Sequence, residues 1–170
     1  MEETENMNKL VQSLLFLSRA ERGYLSFTSE PFNIQEIIEN EVKRAENSSG
    51  GKYKINICIG NPIFCGDKEQ LSTVIKNLVE NSFKYTEPEG TISITVENNK
   101  FSITNTSNIT EKEIESIWQP FYRADKARDR KLGTGLGLSI VKEILENHNL
   151  NFGVYKSENN ITFWFEGGRE

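Results

Sequence analysis

Cysteine and histidine are almost missing from this chain: two cysteines and one histidine in 170 residues. Two thiols alone cannot complete a tetrahedral metal site, and so few exclude a disulfide-stapled scaffold. Cys58 and Cys65 flank IGNPIF, which reads as a turn between two strands, and they are expected to be buried free thiols. No apolar run approaches the ~18 residues that span a bilayer, and no signal-peptide pattern is visible. A basic excess is also lacking: 20 Lys and Arg face 25 Asp and Glu, a net charge of −5. That argues against a nucleic-acid surface. With 36% hydrophobic and 26% charged residues, the composition is that of one folded domain with a core, plus room for a short appendage.

The remaining sequence alternates between two periods. Met7, Leu10, Leu14 and Leu17 follow a 3-4-3 spacing and predict a short helix of coiled-coil type. Residues 18–31 read as a linker, and 33–46 as an amphipathic helix ended by the turn residues Asn47 to Gly51. YKINICI alternates as a strand does. Asp67 is placed to cap a long helix, with Gln70 completing a capping box. TISITVE and KFSIT predict two strands around a turn at Asn98 and Asn99, and Thr110 with Glu113 caps a short helix ending near Trp118. A helix to about Asn147 and a hairpin of NFGVYK with ITFWFE close the chain. The order implies an α+β two-layer domain, one mixed sheet with helices on one face.

Two places resist a purely structural reading. In RKLGTGLGLSIVKEI, Gly133, Gly135 and Gly137 fall on alternate positions just where a helix must start. Glycines before a helix let backbone N–H groups approach an anion, and the helix dipole adds to the attraction. The spacing matches neither the P-loop nor the dinucleotide fingerprint. The preceding segment carries Arg123, Lys126, Arg128, Arg130 and Lys131 against Asp125 and Asp129. It looks like a positive, flexible lid over a polyphosphate, or else a solvated loop that needs glycine only to turn. The second place is NLVENSFKYT, residues 77–86. At 100° per residue, Asn77, Glu80, Asn81 and Lys84 share one helix face, and Leu71, Ile75, Leu78 and Phe83 cover another. Asn is a poor helix former, so two of them one turn apart ask for a reason. Amide oxygens suit a hard cation such as Mg²⁺, which also binds phosphate oxygens.

These segments resemble a known family. NLVENSFKYT is similar to the N-box of sensor histidine kinases, IWQPFYRAD to their F-box and GTGLGLSIV to their G2 box, in matching order and spacing. The resemblance covers about residues 30–166. It implies the Bergerat (GHKL) fold, here preceded by a short helical stump, and a protein histidine kinase domain that uses ATP and Mg²⁺. It assigns Mg²⁺ chiefly to Asn81 with Asn77 beside it, phosphates to Lys84 and Arg123, and the nucleoside surroundings to Tyr85. Gly133, Thr134, Gly135, Leu136 and Gly137 would shape the end of the lid beside the triphosphate. Hydrolytic relatives carry Glu where Asn77 stands, and an amide cannot act as that base, which favours phosphoryl transfer. LVQSLLFLSRAERG resembles the end of a dimerisation helix, so residues 1–22 read as helix end and linker start, and 23–170 as the catalytic ATP-binding domain.

The family's D-x-G-x-G box is replaced here by NTSNI, with Asn105 for the Asp, Ser107 for the first glycine and Ile109 for the second. Asn105 can still accept a hydrogen bond from the adenine amino group. The phosphoacceptor histidine of such kinases lies on a dimerisation domain upstream, and His148 is read instead as complementing a helix C-terminus. Expected partners are that domain and a response regulator, with no nucleic acid. This segment is expected to be cytoplasmic and not membrane-embedded, within a parent protein at the cell membrane. Two rivals are a degenerate nucleotide-binding signalling module and a serine kinase of the anti-sigma-factor type.

Overall fold

Strict alternation builds the centre of the molecule. The strands β4 (Thr91–Glu97), β5 (Lys100–Thr106) and β7 (Asn160–Glu166) turn Ile92, Ile94, Val96, Phe101, Ile103, Ile161, Phe163 and Phe165 to one face, each no more than 3% exposed. Ser93, Thr95 and Ser102 point the other way and stay accessible. With β2 (Lys54–Ile59) and β6 (Phe152–Ser157) they form a five-stranded sheet in the order β2-β4-β5-β7-β6. β2 pairs parallel with β4 and every other neighbour is antiparallel, so the sheet is mixed. This is a computed structural model, and it describes residues 2–21, 28–49, 53–123 and 134–167.

The helices cover the apolar face. The long helix α3 (Lys68–Tyr85) packs between α2 (Ile34–Ser49) and α5 (Gly137–Asn147), and also touches β5. It buries Leu71, Val74, Ile75, Leu78, Val79 and Phe83. α1 (Glu2–Glu21) lies against α5, and α4 (Glu111–Ser116) is a single short helix near β6. Its capping box is complete, with Glu113 N–H donating to the Thr110 hydroxyl and Thr110 N–H to the Glu113 carboxylate. The β4–β5 turn holds Asn98 and Asn99 at φ of 51° and 62°, the left-handed pair that such a two-residue turn requires.

Four expectations are corrected. Residues 18–31 are not all linker: α1 continues to Glu21, and a strand β1 (Glu30–Asn33) precedes α2. β1 pairs antiparallel with β3 (Ile63–Gly66) in a separate two-stranded sheet, so the described residues form two sheets. α2 runs on through Asn47 to Ser49. Cys58 and Cys65 are free thiols, but Cys58 is exposed on the edge strand β2 and Cys65 is only partly buried.

The Asp67 cap also differs in detail. Its carboxylate accepts from Gln70 N–H at 3.0 Å as expected. The return bond is made by His148, whose Nε2 accepts from Asp67 N–H at 3.3 Å. His148 Nδ1–H in turn donates to the Ile144 carbonyl at the end of α5, at 2.8 Å. Burial pushes the Asp67 carboxyl up, but N–H groups of Gln70, Thr28 and Glu69 outweigh it and hold the carboxyl below its usual value.

One buried group is costly. Ser82, on α3, is 0% exposed and its Oγ has no hydrogen-bond partner. An unsatisfied buried hydroxyl is unfavourable and Ala is the better helix former. Ser82→Ala is therefore expected to hold or raise stability, by up to about 1 kcal/mol, or about 2–4 °C in Tm. Leu78→Ala, four residues earlier on the same buried face, is expected to lose about 2–5 kcal/mol. Thermal melts of the two variants check this, and a clear loss from Ser82→Ala contradicts it.

Candidate functional site

The polar face of α3 opens into a cavity of about 1410 Å³. Its core-directed residues fix the helix rotation, so Asn77, Glu80, Asn81 and Lys84 have no choice but to line the opening. Asn77, Asn81 and Lys84 are partly buried and Glu80 is exposed. The Asn77 amide is held in one orientation: its Nδ2 donates to the Thr73 carbonyl at 2.8 Å, and its Oδ1 lies toward Gly137. Eight residues separate Asn77 from Tyr85, about 12 Å along the helix axis, so the cavity has two distinct ends.

At the far end sits Asn105, on β5. It is 1% exposed, yet it lines the cavity beside Ile109, Ile161 and Phe163. Its Nδ2 donates to the Thr106 carbonyl at 3.2 Å, and its Oδ1 has no hydrogen-bond partner. A carbonyl can only accept, so the nitrogen must face it and the oxygen is left for the cavity. That oxygen can accept a hydrogen bond, as a carboxylate oxygen would. Buried acceptors are normally satisfied, so this oxygen calls for a donor from a ligand.

Charge accumulates around Lys84. Burial, then the neighbouring Arg123 guanidinium, lowers the Lys84 ammonium to a pKa of about 8, against a smaller opposing effect of Glu80. Lys84 Nζ also lies 5.0 Å from the Tyr85 ring centre. Burial raises the Tyr85 phenol, with Arg123 pulling the other way. Two half-buried cations side by side repel each other, and a bound polyanion would relieve both the burial and the repulsion.

The glycines have reasons in the protein itself. Gly135 has φ +75°, and an added Cβ would lie 3.0 Å from the Phe121 backbone. Phe121 also has positive φ, 63°, and its N–H donates to the Gly135 carbonyl at 3.0 Å. The two residues clasp, joining the end of the described FYR segment to the start of α5. At Gly137 an added Cβ would lie 2.9 Å from Asn77 Oδ1. Thr134, Gly135 and Gly137 line the cavity together with Asn77, Asn81, Lys84, Tyr85, Asn105 and Arg123. Leu136 does not: it is 0% exposed and belongs to the core. Gly133 and all of the expected lid beyond Arg123 lie outside the described residues. Among the described residues, no cluster of three or more His, Cys, Asp or Glu could hold a metal, and no helix is long and apolar enough to cross a membrane.

Residues 66–167 match the model of the family described as histidine kinase-, DNA gyrase B- and HSP90-like ATPases. The chain belongs to that family. Within it, the resemblance is to sensor kinases. The chain is 33% identical over 157 residues to the sensor protein kinase WalK of Staphylococcus haemolyticus, covering 87% of this chain and 26% of WalK. It thus spans about a quarter of the length of the curated relatives it matches. The catalytic domain of histidine kinase ThkA superposes with a TM-score of 0.69 at 28% identity, over 84% of this chain and 95% of that one. Histidine kinase AdeS of Acinetobacter baumannii shares the fold, with a TM-score of 0.76 at 18% identity, over 98% of this chain and 80% of its own. The chain is an ATP-binding catalytic domain of the two-component sensor histidine kinase type.

Several residues around this cavity lie beyond the reach of local sequence patterns. Gln12, Ser13 and Phe16 of α1 line it, and no local pattern could reveal that a helix so far upstream folds back onto α5. Glu87 and Asn108 also line it, joined by a hydrogen bond of 2.8 Å across 21 residues.

Gly137→Ala tests the steric assignment. Ala is the better residue at a helix start, by up to about 1 kcal/mol, so Tm should hold. The methyl should turn the Asn77 amide away from its Thr73 partner. The expected result is a displaced Asn77 side-chain amide signal in NMR and at least tenfold weaker ATP-analogue binding. An unmoved signal contradicts it.

Proposed function

We propose that the chain binds Mg²⁺ and ATP in this cavity and passes the γ-phosphoryl group to a histidine on a dimerisation domain. The observation that carries the reading is the buried, partnerless Oδ1 of Asn105 in the same cavity as Asn77, Asn81, Lys84 and Arg123. The adenine amino group is a donor that fits the first. A triphosphate fits the second, and the span of α3 between them suits a nucleotide.

In this reading Lys84 and Arg123 bind and orient the phosphates, and the apolar wall of Ile109, Ile161 and Phe163 excludes water around the base. The amide oxygens of Asn81 and Asn77 would hold Mg²⁺. That donor set fits an ion that keeps several waters and shares phosphate oxygens. When bound, Mg²⁺ supplies charge neutralisation during transfer. The β–γ bridging bond breaks, a bond to the acceptor imidazole nitrogen forms, and ADP leaves. Asn77 offers no general base toward water, which supports transfer over hydrolysis. The tight Gly135–Phe121 contact and the position of Thr134 in the lining support a role for this segment at the triphosphate end. Residues 1–22 then stand as the end of the dimerisation helix, and a response regulator as the receiver of the phosphoryl group. A parent protein at the membrane, with this domain on its cytoplasmic side, accords with the WalK likeness.

Base selection is the direct test. Asn105→Ala should weaken ATP-analogue binding by about tenfold to a hundredfold, the value of one buried hydrogen bond of about 1–3 kcal/mol. Asn105→Asp should bind ATP at least as well as the parent and GTP worse, because guanine presents a carbonyl there. Calorimetric titration of both variants with both nucleotides decides it. Unchanged ATP affinity in Asn105→Ala would mean that another residue reads the base.

Proton linkage gives a second test. Free Lys84 titrates at about 8, and a bound polyanion must raise that value. Binding should therefore take up protons near pH 8, and affinity should fall as pH rises from 7 to 9.5. Calorimetry in two buffers of different ionisation enthalpy measures the uptake. Lys84→Met should abolish it.

A further inference from the structure

The family's glycine-rich box is replaced here by residues with side chains, and the loop they form is held by hydrogen bonds. Ile109 N–H donates to the Ser107 hydroxyl at 3.2 Å, and Ser107 N–H to the Asn159 carbonyl at 2.8 Å. Residues 107–109 have no positive φ, so the loop needs no glycine. The facing turn after α3 is pinned as well. Thr86 donates through both N–H and hydroxyl to the Ser82 carbonyl, at 3.1 and 2.6 Å. Gly90 N–H donates to the Glu87 carbonyl at 2.9 Å. Thr91 N–H, just beyond, donates to the Thr106 hydroxyl at 3.2 Å and ties this turn to β5. Two anchored loops thus flank the end of the cavity that holds Asn105. Between them runs the bond from Asn108 Nδ2 to Glu87 Oε1, 2.8 Å long, and both residues line the cavity.

The geometry points to Glu87 and Asn108 as a latch over the base end of the nucleotide, a pair of positioning residues that sets how fast adenine nucleotides leave. The inference rests on the nucleotide reading of the cavity. Both side chains are solvent-exposed and touch no core residue in these bonds. The pair therefore does little for the fold, and its geometric effect is to bridge the mouth beside the orphaned Asn105 oxygen. Each loop keeps its own anchoring hydrogen bonds when the Glu87–Asn108 bond is open, so the bond can open and close without moving the sheet. Because it lies at the base end, it should act on diphosphate and triphosphate alike.

The test measures release of ribose-labelled fluorescent ADP and ATP by stopped flow from the whole chain. Asn108→Asp sets a second carboxylate against Glu87, and both nucleotides should dissociate about three- to tenfold faster, the equivalent of one exposed hydrogen bond. Glu87→Gln still offers an amide oxygen to Asn108 and should release them near the parent rate. Combining Asn108→Asp with Glu87→Gln reverses the polarity of the bond, now amide nitrogen to carboxylate, and should restore the parent rate within about twofold. Tm should stay within a few degrees in all three, which separates the latch from a structural role. An unchanged rate in Asn108→Asp, or a double variant as fast as that single one, overturns the latch. If the parent chain fails to bind either nucleotide, the nucleotide reading itself falls and the latch with it.

Discussion

The burial of one face of α3 is the constraint on which the rest depends. Leu71, Val74, Ile75, Leu78, Val79 and Phe83 are each at most 5% exposed, wedged among α2, α5 and the sheet. A helix held that tightly cannot rotate, since side chains of a close-packed interior have no alternative fit of equal quality. Its opposite stripe therefore projects at fixed heights: Asn77 at the start of α5, Lys84 and Tyr85 about two turns later beside Arg123. The cavity is a consequence of the core.

The ends of α3 are fixed by different means. At its start, Asp67 joins three parts of the chain. The carboxylate takes Thr28 N–H from the segment behind β1 at 3.2 Å and Gln70 N–H of α3 itself, while Asp67 N–H reaches His148 at the end of α5. Because the Ile144 carbonyl requires a donor, His148 carries its hydrogen on Nδ1, and Nε2 is the acceptor. One end of α5 is thereby tied to the N-terminus of α3, while its other end meets Asn77 through Gly137. α5 is thus linked to α3 at both of its own ends, to the N-terminus of α3 and to its middle.

What the sequence made legible follows from range. Period and capping are local, so the two faces of α3, the Thr110–Glu113 box and the left-handed Asn98–Asn99 turn could all be read from neighbouring letters. The four-residue strands EPFN and IFCG are too short to show a period, and residues 30–31 passed for linker although Phe32 and Phe64 are buried opposite each other. The stripe of α1 is split by its docking on the domain. Leu17 is buried at 8% exposure, but Met7 remains 65% exposed. His148 finds Asp67 across 81 residues, and no local pattern predicts which helix end will need that nitrogen. The cavity residues on α3 and α5 were recognisable because their residue types are wrong for a plain helix. Leu136 was grouped with them only because it stands between the glycines, and its side chain has the opposite task.

The polar lining departs from what stability alone would select. Helix interiors favour Ala, Leu, Glu or Lys over Asn, buried acceptors favour a partner, and like charges favour distance. The cavity breaks each preference, with Asn77 and Asn81 in mid-helix, Asn105 Oδ1 without a donor and Lys84 beside Arg123. Each violation is one that a single kind of ligand removes, a purine with an amino group carrying a polyanionic tail. Orphaned Ser82 Oγ lies on the same helix but off the cavity, and it has no such relief. An orphaned group therefore indicates function only where it opens onto a site. That separates Asn105 Oδ1 from Ser82 Oγ, although both oxygens are buried and both lack a partner.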